Sequence, residues 1–107
     1  MNIFSYLELS FKSILDHLQR DGLLEAGLDV SKVVFELPRD VSHGDLACNA
    51  AMVLAKQVGM KPRDLATLFA DKLVQCDGVT GVEIAGPGFV NLTVEPRLWS
   101  GEIATIL

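Results

Sequence analysis

Residues Ile84 to Val94 read I-A-G-P-G-F-V-N-L-T-V, and their alternation decides how the chain is built. Side chains on a strand alternate between faces with a period of two, so Val90, Leu92 and Val94 form an apolar face while Phe89, Asn91 and Thr93 point the other way. The preceding run, Val79 to Ile84, is a second strand candidate, and Ala85-Gly86-Pro87-Gly88 between them is the short glycine-proline connection of a hairpin. A ring and an amide two residues apart on one face offer a stacking surface together with a donor and an acceptor for a flat heterocycle. A ring covered by an overlying helix fits the same pattern.

Working outward, Pro62 suits the first turn of a helix whose apolar stripe is Leu65, Leu68, Phe69, Leu73 and Cys76, broken at Asp77-Gly78. Before it, Asn49 is placed as an N-cap, and Ala50, Ala51, Met52, Val53, Leu54 and Ala55 form a small-residue helix ending near Gly59. Arg39 to Asp45 is polar and reads as a turn leading into a short strand or directly into that helix. Residues 33 to 37, Val-Val-Phe-Glu-Leu, form a first strand ended by Pro38. Phe4, Leu7, Phe11, Ile14, Leu15 and Leu18 recur at helical spacing, with a stop at Gly22 or Gly27. After the hairpin, Pro96 opens a helix containing Leu98, Trp99, Ile103, Ile106 and Leu107 that carries no stop signal. The expectation is a single domain over residues 1–107, the front piece of a longer polypeptide, with the helix 96–107 incomplete. The order of elements predicts an α+β two-layer domain: a small, mainly antiparallel sheet with helices packed on one face and the other face open.

With 107 residues, 50% of them hydrophobic, the chain suits one core that buries roughly two thirds of its unfolded surface. Nine Lys and Arg stand against fourteen Asp and Glu, a net charge of -5 that has the wrong sign for gripping nucleic acid through phosphates, so any nucleic-acid role must be local. Residues 1–45 hold 4 basic and 8 acidic side chains, whereas residues 46–107 hold 5 and 6, so the half containing the hairpin is nearly neutral. Cys48 and Cys76 make no C-x-x-C pair and have no histidines at zinc-ligand spacing, which indicates neither a disulfide framework nor a structural metal. His43 and Asp45 lack a third ligand, so the expectation there is a surface histidine and a turn-stabilising aspartate. No signal-peptide pattern and no apolar run near the ~20 residues of a bilayer span is present, and a cytoplasmic location is expected.

Two blocks, Ser42-His43-Gly44-Asp45-Leu46-Ala47-Cys48-Asn49-Ala50-Ala51-Met52-Val53-Leu54-Ala55-Lys56 and Ala85-Gly86-Pro87-Gly88-Phe89-Val90-Asn91, resemble the N-terminal additional domain of arginyl-tRNA synthetase. Between them Lys61-Pro62-Arg63-Asp64-Leu65-Ala66 resembles that domain's proline-started helix, and Trp99 falls after the last strand as in the family, so the resemblance covers nearly the whole chain. It implies a module that touches the D-loop of arginine tRNA near the elbow and contacts the synthetase's own catalytic core, with no DNA or membrane partner. By motif, base recognition falls to Gly86, Phe89 and Asn91, with Gly88 also allowing close backbone approach; Arg39, Lys56, Lys61 and Arg63 are the phosphate-contact candidates. The resemblance also implies a parent ligase that activates arginine with ATP and magnesium before transfer to tRNA, using H-x-G-H and K-M-S-K-type signatures. Neither signature occurs here, so the expectation is no catalytic residue, metal or cofactor within these residues. The alternative is a protein-interaction or scaffolding domain that docks on the catalytic core or another partner through Phe89 and the last helix.

Overall fold

The computed structural model describes residues 3–25, 27–37 and 44–99. The first apolar stripe winds into α1 (Ile3–Arg20), which buries Ile3, Tyr6, Leu7, Phe11, Leu15 and Leu18. Its end comes at Gly22 rather than Gly27: Leu23 N–H donates to the Leu18 carbonyl at 2.9 Å, and Gly22 N–H to Gln19 at 3.1 Å. Burying Tyr6 requires a partner for its hydroxyl, which donates to the Asp77 carbonyl at 2.6 Å.

The expected first strand, residues 33–37, shrinks to β1 (Phe35–Glu36) because the backbone before it is committed elsewhere. Val33 N–H closes a turn on the Val30 carbonyl, and Val34 N–H donates to Asn49 Oδ1 at 2.8 Å. Asn49 therefore does not act as the expected cap. It sits at the N-cap position of the second helix without a side-chain cap bond, and its Nδ2 donates instead to the Lys32 carbonyl at 3.1 Å. The polar turn does lead into a short strand, β2 (Leu46–Cys48), followed by α2 (Ala50–Val58) and α3 (Pro62–Leu73). Cys76 lies beyond the end of α3 rather than on its stripe.

β3 (Val79–Ala85) and β4 (Phe89–Val94) make the expected hairpin, and α4 (Pro96–Trp99) begins at the expected proline. The remainder of that helix, with Ile103, Ile106 and Leu107, lies outside the described residues, as do Pro38, Arg39, Ser42 and His43. Arg97 bonds both Glu95 and Asp77, the latter at 2.7 Å, and Glu95 N–H donates to the Gly78 carbonyl, so the exit from β4 is tied to the turn before β3.

All pairings in the sheet are antiparallel, in the order β1-β2-β4-β3. β2 and β3 both pair with β4, so the α2–α3 crossover leaves a gap of one strand that the hairpin return fills. β4 thus becomes a central strand, and Val90, Leu92 and Val94 are buried against the helical layer. Phe11 joins that layer to the sheet edge, meeting Phe69 edge-on at 5.0 Å and Phe35 at 6.2 Å. Helices on one face of a four-stranded antiparallel sheet give the α+β two-layer arrangement that the element order predicts.

Candidate functional site

The hairpin is joined by Gly86-Pro87-Gly88, with Ala85 opposite Phe89, Ile84 opposite Val90 and Glu83 opposite Asn91. Its tip rests on the start of α3. Gly88 has φ +154, and a Cβ there would lie 3.0 Å from Pro62 Cβ and 3.1 Å from the Pro62 carbonyl carbon and oxygen, so any other residue would be strained and would press on Pro62. The Arg63 guanidinium donates to the Gly86 carbonyl at 2.5 Å. Gly86, Gly88, Phe89 and Arg63 are thereby gathered at one end of the sheet, with Lys61 exposed at the N-cap of α3 beside them. Lys56 lies exposed in the last turn of α2, and no hydrogen bond joins it to the hairpin among the described residues. Arg39 lies outside the described residues.

Strand alternation puts Phe89 and Asn91 on the face away from the helices, where Phe89 is half-buried. That face is not open at its centre, contrary to the expectation. Asn91 is only 5% exposed and its β2 partner Ala47 only 7%. β4 is flanked on both sides, so a residue in its middle has a cross-strand neighbour left and right, while Phe89 at the strand's start lies next to the turn. Exposure returns at the edges. Glu36 pairs with Ala47, Ala47 with Asn91 and Asn91 with Glu83, making one row across the sheet that begins and ends on an exposed carboxylate.

The two glutamates escaped the sequence reading for different reasons. The expected four-residue connection from Ala85 sets Glu83 opposite Val90, whereas the three-residue turn Gly86-Pro87-Gly88 sets it opposite Asn91. Glu36 owes its place to the long-range pairing of β1 with β2.

Other candidates for chemistry take structural roles. Asp45 Oδ2 accepts from Val94 N–H at 3.0 Å, while Asp45 N–H donates to the Leu92 carbonyl, which prolongs the β2–β4 pairing. Burial pushes the Cys48 thiol up to about 12 and also raises that of Cys76, the reverse of what a nucleophilic thiolate needs. No group of three His, Cys, Asp or Glu side chains among the described residues is arranged to hold a metal ion. No helix among them is long and apolar enough to cross a membrane.

The family model for the arginyl tRNA synthetase N terminal domain matches residues 6–94, from the first turn of α1 to the last residue of β4. The chain belongs to the arginyl-tRNA synthetase N-terminal domain family. Curated relatives agree: it is 51% identical over 107 residues to the arginine–tRNA ligase of Parvibaculum lavamentivorans, 48% to that of Bradyrhizobium sp. strain BTAi1 and 43% to that of Rhodospirillum rubrum. In each case the match takes in 100% of this chain and 18% of the ligase. Within the arginyl-tRNA synthetase N-terminal domain, the matched region contains every residue of the sheet and the whole hairpin site.

Proposed function

We propose that this domain reads one unstacked base of the arginine tRNA D-loop, near the elbow, on behalf of an arginyl-tRNA synthetase. The parent is a cytoplasmic ligase whose separate core activates arginine with ATP and magnesium and transfers it to the tRNA. The observation that carries the reading is the position of Phe89: a half-buried ring on the sheet face opposite the helices, beside a turn that Arg63 bonds and Pro62 underlies. Phe89 is the stacking platform, Gly86 leaves the exposed tip beside it clear of a side chain, and Gly88 lets the turn close on Pro62. Asn91, deeper in the face, supplies a donor and an acceptor to the base edge over a short range. Lys61 and Arg63 lie on the side of the site where the nucleotide's phosphate approaches.

Magnitudes assign the domain a subsidiary share of the affinity. Stacking one base on an aromatic contributes ~1–3 kcal/mol, and a net hydrogen bond about 1 more. Even millimolar binding requires about -4.1 kcal/mol. The domain alone therefore binds tRNA weakly, and its contact counts once the rest of the synthetase holds the RNA and makes the second contact intramolecular. The acidic net charge is tolerable under that arrangement.

The test is steady-state aminoacylation by the full-length synthetase carrying Phe89→Ala. The KM for arginine tRNA should rise roughly five- to a hundredfold, with the KM values for arginine and ATP unchanged. An unchanged KM for tRNA would sink the reading. Docking on the catalytic core is a second reading, favoured by the exposed apolar side chains Leu23, Val34 and Leu37. That surface is not the one expected from the sequence, Phe89 and the last helix, and docking there leaves the Phe89 prediction intact.

A further inference from the structure

The row across the face away from the helices holds two exposed carboxylates for which no hydrogen bond or ion pair is made among the described residues. Glu83 is the direct cross-strand partner of Asn91 and is exposed, whereas Glu36 stands beyond Ala47 at the other edge. Directly opposed residues on one face have Cβ atoms about 4.5–5.5 Å apart, so the side chains of Glu83 and Asn91 can meet the same base edge. Among the described residues no cation pairs with Glu83; the ion pairs given by Arg97 engage Asp77 and Glu95.

The chemistry of the pair is asymmetric. Asn91 carries one donor group and one acceptor, and an ionised carboxylate only accepts. Together they present an excess of acceptors, which suits a base edge rich in N–H groups. Adenine, cytosine and guanine each carry an exocyclic amino group. Uracil carries none and flanks its single N–H with two carbonyl oxygens, one of which would face the carboxylate.

Resting on the D-loop reading above, we propose that Glu83 is a specificity-determining residue that selects an amino-bearing base on Phe89 and rejects uracil. Glu36 and Glu83 also keep phosphates off the face, so the nucleotide enters base first, with its backbone at the Arg63 end. Specificity here is built from an unfavourable contact with the wrong base as much as from a favourable one with the right base.

The experiment uses the full-length synthetase, as wild type, Glu83→Gln and Phe89→Ala, with arginine tRNA transcripts in which each D-loop base is replaced in turn by uracil. For the wild type, uracil at one position should lower kcat/KM roughly tenfold or more, as expected for a lost hydrogen bond to a charged group. Glu83→Gln should shrink that ratio several-fold, since a glutamine amide can donate to a carbonyl oxygen. Phe89→Ala should lower kcat/KM for every base at that position. An unchanged ratio in Glu83→Gln, or no uracil-sensitive position in the wild type, overturns the role of Glu83 while Phe89→Ala still reports on the stack. If Phe89→Ala has no effect either, the D-loop reading falls with it. Thermal melts of both variants at the wild-type midpoint would establish that the effects are not losses of fold.

Discussion

Arg63, in the first turn of α3, donates through its guanidinium to the carbonyl oxygen of Gly86 at the tip of the β3–β4 hairpin, 23 residues away in sequence. Together with Pro62 under Gly88, this makes the helix start and the hairpin tip one piece. Anchoring the turn restricts the positions open to the ring at its end, which would lower the ordering cost of any contact made there.

Removing that anchor should matter more for order than for stability. Arg63 is exposed, so Arg63→Ala is expected to lower unfolding free energy by about 1 kcal/mol or less. The amides of Gly86 to Phe89 should exchange with solvent measurably faster, and Arg63→Lys, which lacks the planar fork, should not restore them. Native-state hydrogen exchange would read both effects; protection unchanged in Arg63→Ala would mean the turn holds itself.

The two glycines of the turn should respond differently to alanine. At Gly88 the added Cβ meets Pro62 backbone at 3.1 Å and the backbone is at φ +154, so Gly88→Ala should cost about 2–4 kcal/mol. At Gly86, φ is +56 and the Cβ would meet only Phe89 Cδ2 at 3.7 Å, so the cost should be about 1–2 kcal/mol, mainly backbone strain. Urea titrations of the two variants would rank them. Equal midpoints would mean that Pro62 gives way easily.

Asn49 tests whether a side chain at a helix start caps the helix or clasps a neighbour. Its carboxamide bonds Val34 N–H and the Lys32 carbonyl, so Asn49→Ala should lose about 1–2 kcal/mol. Serine is an equally good N-cap but too short to span both groups. Asn49→Ser should therefore be nearly as damaging as Asn49→Ala; a near-neutral serine variant in chemical denaturation would favour capping.

Alkali should weaken the fold through Cys48. Burial raises its thiol from the ordinary 9.0 to about 12, so the unfolded chain loses this proton first as pH rises. The stabilising contribution is fully present below pH 9 and declines by roughly 1.4 kcal/mol per pH unit as the pH rises toward 12. Tyr6, whose phenol is raised chiefly by burial, adds a loss of the same sign at higher pH. Urea midpoints compared at pH 8 and pH 10.5 should converge for Cys48→Ala relative to the wild type, and parallel behaviour of the two proteins would remove the thiol from the account.

Local patterns carried most of the elements. Period two from Phe89 to Val94, helical spacing from Phe4 to Leu18 and Pro62 at the opening of α3 are properties of neighbouring residues, and such properties survive folding unchanged. The same alternation put Phe89 and Asn91 on one face before any tertiary contact was known. What neighbours could not convey was the company each residue keeps. Whether the hairpin's return strand lies at an edge or in the middle is settled by where the α2–α3 crossover delivers it, and the middle position is what lines Asn91 up with Ala47, Glu36 and Glu83. Val34 loses its place in β1, and Asn49 its place as a cap, because their hydrogen bonds are made to each other across 15 residues. Arg63 reads in sequence as a candidate phosphate contact, and only the fold brings it to the Gly86 carbonyl. The division follows from range: side-chain direction along a strand or helix is set within a few residues, whereas strand order, burial and long-range hydrogen bonds depend on how the whole core closes.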